Sequence, residues 1–169
     1  MLNEAIVNFE AYEDATRYLG MASITLPSLA HKTVSVEGAG IAGTVEAIIP
    51  HLDALDLGLS FRTQTTDAYR LHELRDHNID LRISQQARDS VSGQNVVQAV
   101  KHVVVCRPKE FNPGNVAPAA AADASGTYGC TIFATYIDGQ EVLYVDKLNY
   151  IYRVNGVDYL AEHRAALGL

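Results

Sequence analysis

The chain has 169 residues, 48% of them hydrophobic and 20% charged, with a mean hydropathy of zero, which suits one sizeable core in an ordinary globular domain. Thirteen basic residues against twenty acidic ones give a formal charge of −7 and a pI near 5.2, so a conventional DNA-binding module that grips phosphates through a basic face is excluded. The longest apolar runs, such as residues 103–106, are far short of the roughly 20 residues that cross a bilayer, and the acidic N-terminus has no signal-peptide pattern; neither membrane insertion nor a cleaved signal is expected.

Nine Tyr, four Phe and no Trp, with Tyr144, Tyr150 and Tyr152 in one stretch, point to a β-rich chain. Residues 18–26, which stop at Pro27, and the alternating residues 33–37 predict two strands joined by a short turn. Gly38, Gly40 and Gly43 then spell G-x-G-x-x-G. A dinucleotide fingerprint needs a buried parallel strand before it and a long helix after it. Here KTVSVE alternates like an exposed antiparallel strand and Pro50 interrupts the segment beyond the glycines, so they read as a flexible, turn-rich connection. Over residues 54–62, Leu55, Leu57, Leu59 and Phe61 share one phase and Asp56, Gly58 and Ser60 the other, the period of a half-buried strand.

Thr65, Thr66 and Asp67 predict a capped helix over 66–77, with Ala68, Leu71 and Leu74 at helical spacing. On it, His72 and His77 are five apart, not the four that put two imidazoles on one face, so they read as solvated helix histidines and no metal is expected. Ile79, Leu81 and Ile83 alternate with Asp80, Arg82 and Ser84, and the β-branched run 95–107 ends at Pro108; both read as strands. Pro108, Pro113 and Pro118 with the alanines at 119–122 make 108–126 a long loop. Residues 127–137 lead through the hairpin signal Asp138-Gly139 into a strand over 141–154, a long two-stranded ribbon ended by Asn155-Gly156. Asp158 is placed to cap a closing helix through Ala166, with Leu160 and Leu167 turned inward. No repeat and no linker is visible, so residues 1–169 form one domain, mostly β with two helices (α+β).

Chemistry is sparse. No G-x-S-x-G elbow and no distinctive carboxylate pair occurs, and Asp158, Glu162, His163 and Arg164 are accounted for by capping and surface ion pairing. No catalytic residue and no cofactor is expected. Cys106 and Cys130 are too far apart for a CxxC site; buried free thiols are the default, and a disulfide within or between subunits is the sharper alternative.

The ending YIDGQEVLYVDKLNYIYRVNGVDYLAEHRAALGL carries an ordered pattern: Asp138, Gly139, Asp146, Asn149, Val154, Asn155, Gly156, Val157, Asp158, Leu160, His163, Arg164, Gly168 and Leu169. It resembles the ending of the major tail tube protein family of contractile-tailed bacteriophages. Tyr18, Leu19 and Gly20, Thr25 to Pro27, Leu29, Lys32, the Gly38/Gly40/Gly43 cluster, Arg107, Lys109, Glu110, Cys130, Thr131 and Phe133 agree more loosely. The segment 112–126 departs from the charged, Gly-rich insertion of the family.

The resemblance implies a small antiparallel β-barrel or sandwich with one internal helix and a short C-terminal helix. It further implies hexameric rings stacked into a hollow tube inside a contractile sheath. The implied partners are further copies of the chain, the sheath, tail terminator or neck and baseplate proteins, and a tape measure protein in the lumen. DNA would pass without specific binding, and no membrane is involved. Such a protein is built in the host cytoplasm and ends in the virion tail. The alternative within this class is the tube of a phage-derived bacteriocin or contractile injection system, including relatives in type VI secretion; a small-ligand-binding β-barrel is the alternative outside it. On this reading residues 38–53 reach a neighbouring subunit or ring: Gly38, Gly40 and Gly43 permit unusual backbone angles, and Ile41, Val45, Ile48 and Ile49 supply apolar anchors. A channel wall that must not hold DNA is expected to present more Asp and Glu than Lys and Arg, with Asp56, Asp80 and Asp146 as candidates.

Overall fold

Strand-forming residues at alternate positions govern the architecture. The computed structural model describes residues 1–17 and 21–169; the expectations at Tyr18, Leu19 and Gly20 lie outside the described residues. In chain order the elements are β1 (Leu2–Glu13), β2 (Thr16–Arg17), β3 (Met21–Thr25), β4 (His31–Val36), β5 (Val45–Leu52), β6 (Leu55–Phe61) and α1 (Thr66–Arg70). After α1 come β7 (His77–Arg88), β8 (Asn95–Asn112), β9 (Ala124–Ile137), β10 (Gln140–Asp146), β11 (Ile151–Val154), β12 (Val157–Asp158) and α2 (Ala161–Leu167).

One antiparallel sheet runs β12-β11-β10-β9-β8-β7-β1-β2, and it forks at β9. The first half of β9 pairs with β6, which pairs with β3; the second half pairs with β10. A small second sheet holds β4 and β5. The large sheet curls round one core but stays open, so the expected barrel is not closed by a single chain.

Period-two alternation fills that core. Leu55, Leu57, Leu59 and Phe61 of β6 are all at most 1% exposed, and they meet Ile79 and Leu81 of β7, Val104 of β8 and Tyr128 and Phe133 of β9. Burying each such side chain contributes roughly 1.5–3 kcal/mol. Cross-strand rows make the same point. Glu13, Ile79, Val104, Phe133, Val145 and Tyr152 lie side by side on the core face of six successive strands.

Several expectations change. Strands β3 and β4 do not pair with each other: β3 joins β6 and β4 joins β5. Residues 38–53 are the tip and second strand of a β4–β5 hairpin, not a loop. Pro50 fits because it falls in the irregularity between Ile49 and Leu52, where the ladder to His31 and Lys32 skips.

Helix α1 stops at Arg70 instead of running to 77. Thr65 caps it, accepting from the Ala68 N–H at 3.2 Å, and Ala68 and Leu71 are fully buried, but Leu74 is 84% exposed and has no core to reach. His77 is not a solvated helix histidine; it opens β7 and is fully buried.

Strand β8 runs through Pro108, since β7 has ended opposite Cys106 and the strand is an edge there, so the proline loop shrinks to 113–123. The ribbon over 141–154 is two strands, β10 and β11, separated by a turn at 147–150. Leu160 is buried as expected, but Leu167 is 60% exposed, and Leu160, not Asp158, occupies the N-cap position of α2.

Candidate assembly surfaces

Among the described residues no group of His, Cys, Asp or Glu is arranged to hold a metal ion. The features that stand out are surfaces a single chain leaves unfinished.

The first is the outer edge of β1. Bulges near Glu4 and Val7 interrupt its ladder with β7, and β2 covers only Tyr12 and Glu13 on the other side. Among the described residues, positions 2–11 have no strand partner on that edge. Leu2, Ile6 and Val7 there are each about 60% exposed. A long open edge with apolar side chains is a template for pairing with another chain.

The second surface is the face of the large sheet that points away from the core. One row across it reads Glu10, Arg82, Lys101, Tyr136 and Glu141; the next reads Tyr12, Asp80, Val103, Ala134, Tyr144 and Arg153. Charges of both signs are interleaved and tied. Lys101 binds Asp80 at 3.1 Å, Arg153 binds Glu141 at 2.6 Å, Arg88 binds Glu4 at 2.8 Å, and Arg17 binds Glu10. Arg82 lies over the Tyr12 ring, 4.8 Å from its centre. On this face Glu4, Glu10, Asp80 and Glu141 each have a cross-strand cation. Asp56 follows the same rule on β6, held by Lys109 at 2.9 Å. Asp146 ends β10. It is 3% exposed and accepts from the Leu148 and Asn149 N–H groups and from Asn149 Nδ2, closing the β10–β11 turn.

The third surface is the β4–β5 hairpin. Its register puts Val34, Val36, Val45, Ala47 and Ile49 on one face and Thr33, Ser35, Glu46 and Ile48 on the other. Val34, Val36, Val45 and Ile48 are 40–73% exposed, and Ile41 at the tip 39%. Gly40 and Gly43 turn the tip with φ of +95° and +115°, angles that strain any residue with a Cβ, while Gly38 accepts from the Ile41 N–H at 3.2 Å. The hairpin is held at its base. His31 packs edge-on against Tyr152 and His51 against Tyr150, and Lys147 Nζ donates to the Asp53 carbonyl.

The C-terminal pattern proves to be a set of turn and clamp residues. Asp138 and Gly139 take φ of +50° and +82°, and Asp138 Oδ1 accepts from the Ala99 N–H, fixing the β9–β10 turn to β8. Asn155 and Gly156 repeat those angles between β11 and β12. Arg164 donates to Asp158 Oδ2 and to the Tyr150 carbonyl, both at 2.6 Å, so α2 is bolted to the β10–β11 turn. That hydrogen bond with Arg164 holds the Asp158 carboxyl below the usual carboxylate range. His163 is exposed and makes no comparable contact among the described residues.

Sequence reasoning missed the β1 edge and a buried polar cluster behind it. Glu13 is 3% exposed and meets His77 Nδ1 at 2.6 Å and Arg75 at 3.1 Å, while His77 Nε2 reaches the Glu73 carbonyl at 2.9 Å. The only signal was His77 itself, out of phase with the helix predicted around it.

Comparison with known proteins fits an unfinished, self-pairing subunit. The family model for phage tail tube protein FII matches residues 3–168. The tail tube protein of Escherichia phage P2 is 30% identical over 157 residues, covering 90% of each chain. Among solved structures, the sheath/tube terminator of an extracellular contractile injection system aligns with a TM-score of 0.53 at 10% identity, over 79% of this chain and 96% of that one. The sheath-tube complex of the same kind of system gives 0.52 at 9% identity, over 76% and 87%. Those two show a shared fold. With the family model spanning almost the whole chain, the protein belongs to the phage tail tube family.

Proposed function

We propose that the chain forms hexameric rings that stack into the hollow inner tube of a contractile phage tail, conducting DNA without binding it. The observation that carries this reading is the open edge of β1 with its exposed Leu2, Ile6 and Val7. In a monomer such an edge invites indefinite aggregation, whereas in a closed ring each copy covers its neighbour's edge and the open sheets join into one continuous barrel. The hairpin then serves as the joint between rings. An isolated two-stranded hairpin is marginally stable in water, and its valine face needs a second surface to lie on.

The ion-paired sheet face suits a wall past which DNA slides. With carboxylates and cations already neutralising each other, few free cations remain to displace counterions from phosphate. The sheath, terminator, baseplate and tape measure proteins are the further partners, and the product is a structural part of the virion built in the host cytoplasm, with no reaction to catalyse. The similarity to a tube protein of phage P2 favours a genome-carrying tail over a bacteriocin or injection particle.

Removing residues 40–49 tests the joint. The variant is expected to keep its far-UV spectrum and to form isolated rings or no tubes in negative stain. Normal tubes from it would overturn the assignment of the hairpin.

A further inference from the structure

Cys106 on β8 and Cys130 on β9 stand opposite each other across the ladder, both turned into the core and only 1% and 6% exposed. Directly opposed residues on antiparallel strands have Cα atoms about 4.5–5.5 Å apart, inside the roughly 4.4–6.8 Å that a disulfide bridges. The register skips at Thr131 beside the pair, which gives the strand local freedom to adjust. Both side chains are free thiols. Cys130 Sγ–H donates to the Tyr128 carbonyl at 3.7 Å.

We propose that Cys106 and Cys130 are a reversible dithiol–disulfide site that staples β8 to β9. Resting on the tail-tube reading, the pair stays reduced while subunits assemble in a reducing cytoplasm and is closed by a peroxide-class oxidant after release. The two sulfurs have different parts. When one proton leaves, the adjoining Cys106 thiol, the Leu57 N–H and the positive charge of Lys147 favour the thiolate at Cys130, while the adjoining Cys130 and burial hold the proton on Cys106. Cys130, the more exposed of the two sulfurs, attacks the peroxide O–O bond as its thiolate. A sulfenic acid forms on its sulfur, and hydroxide leaves and takes up a proton as water. The Cys106 sulfur then attacks the Cys130 sulfur, the S–S bond forms and a second water departs. Overall two thiols lose two protons and two electrons, and hydrogen peroxide becomes two waters. The staple closes a loop that contains residues 113–123, so it restrains the unfolded chain and the long turn together.

The test treats the reduced full-length protein with hydrogen peroxide, unfolds it in iodoacetamide and weighs it. The expected product is a monomer about 2 Da lighter than the reduced chain, with no alkylated thiol and a Cys106–Cys130 cross-linked peptide. Its thermal midpoint should rise by roughly 5–10 °C and return with dithiothreitol. Cys130→Ser and Cys106→Ser should show neither cross-link nor shift. Two alkylated thiols, sulfinic or sulfonic acids, or a disulfide-linked dimer in the wild type would overturn the proposal. Filaments are scored separately in negative stain: their absence would count against the tube, whereas free thiols count against the staple whether or not filaments form.

Discussion

Tyr128 and Gly126 show how single residues fix this fold. The Tyr128 ring is fully buried, and a Cβ at Gly126 would lie 2.7 Å from its hydroxyl. Burial also pushes the phenol pKa up to about 12, so the group stays neutral. Gly126→Ala should displace the ring and cost about 1–3 kcal/mol, read as a fall in thermal midpoint of roughly 3–10 °C. His102 gives a pH signature. It is 7% exposed, stacked on Phe133 and hydrogen-bonded to Thr135, and burial holds its pKa below the ordinary value. The unfolded chain therefore takes up a proton that the folded one refuses. This contribution is fully present above about pH 6.5 and is lost as pH falls below it. His102→Gln should flatten the decline in urea-denaturation stability between about pH 7 and pH 5; an unchanged slope would contradict the assignment.

At the scale of elements, legibility in the sequence followed the regularity of the backbone. Strand β6 could be read directly, because its four apolar side chains alternate without interruption and all of them reach the core. Strand β1 could not, since bulges near Glu4 and Val7 shift its phase and its first seven residues are exposed. The helix predicted over 66–77 fails at Leu74, whose spacing is helical but whose side chain finds only solvent. The C-terminal residues are visible as a pattern, yet their work as clamps emerges only with coordinates: nothing in the spelling says that Asp146 closes a turn or that Arg164 holds the Tyr150 carbonyl. The same scale yields two predictions. Ile6→Pro removes a backbone donor from the open edge of β1 and should block ring formation, measured by light scattering, while leaving the core intact. Ile48→Asp places a charge on the hairpin where 73% of the side chain is exposed; the monomer should unfold within about 0.5 kcal/mol of wild type, but stacking of rings should be lost.

For the whole molecule, the net charge of −7 is unevenly spread. The outward face of the large sheet carries paired charges of both signs. Carboxylates outside these pairs include Glu37, Glu46, Asp53, Asp89, Glu110 and Asp123. Cryo-electron microscopy of the purified assemblies is the decisive measurement for a subunit finished by its neighbours. Stacked six-membered rings around an open channel are expected, with the outer edge of β1 hydrogen-bonded to a neighbour in the ring and the β4–β5 hairpin lying on the adjacent ring. A uniform 18.4 kDa monomer with β1 unpaired, or rings joined without either surface, would contradict this assembly.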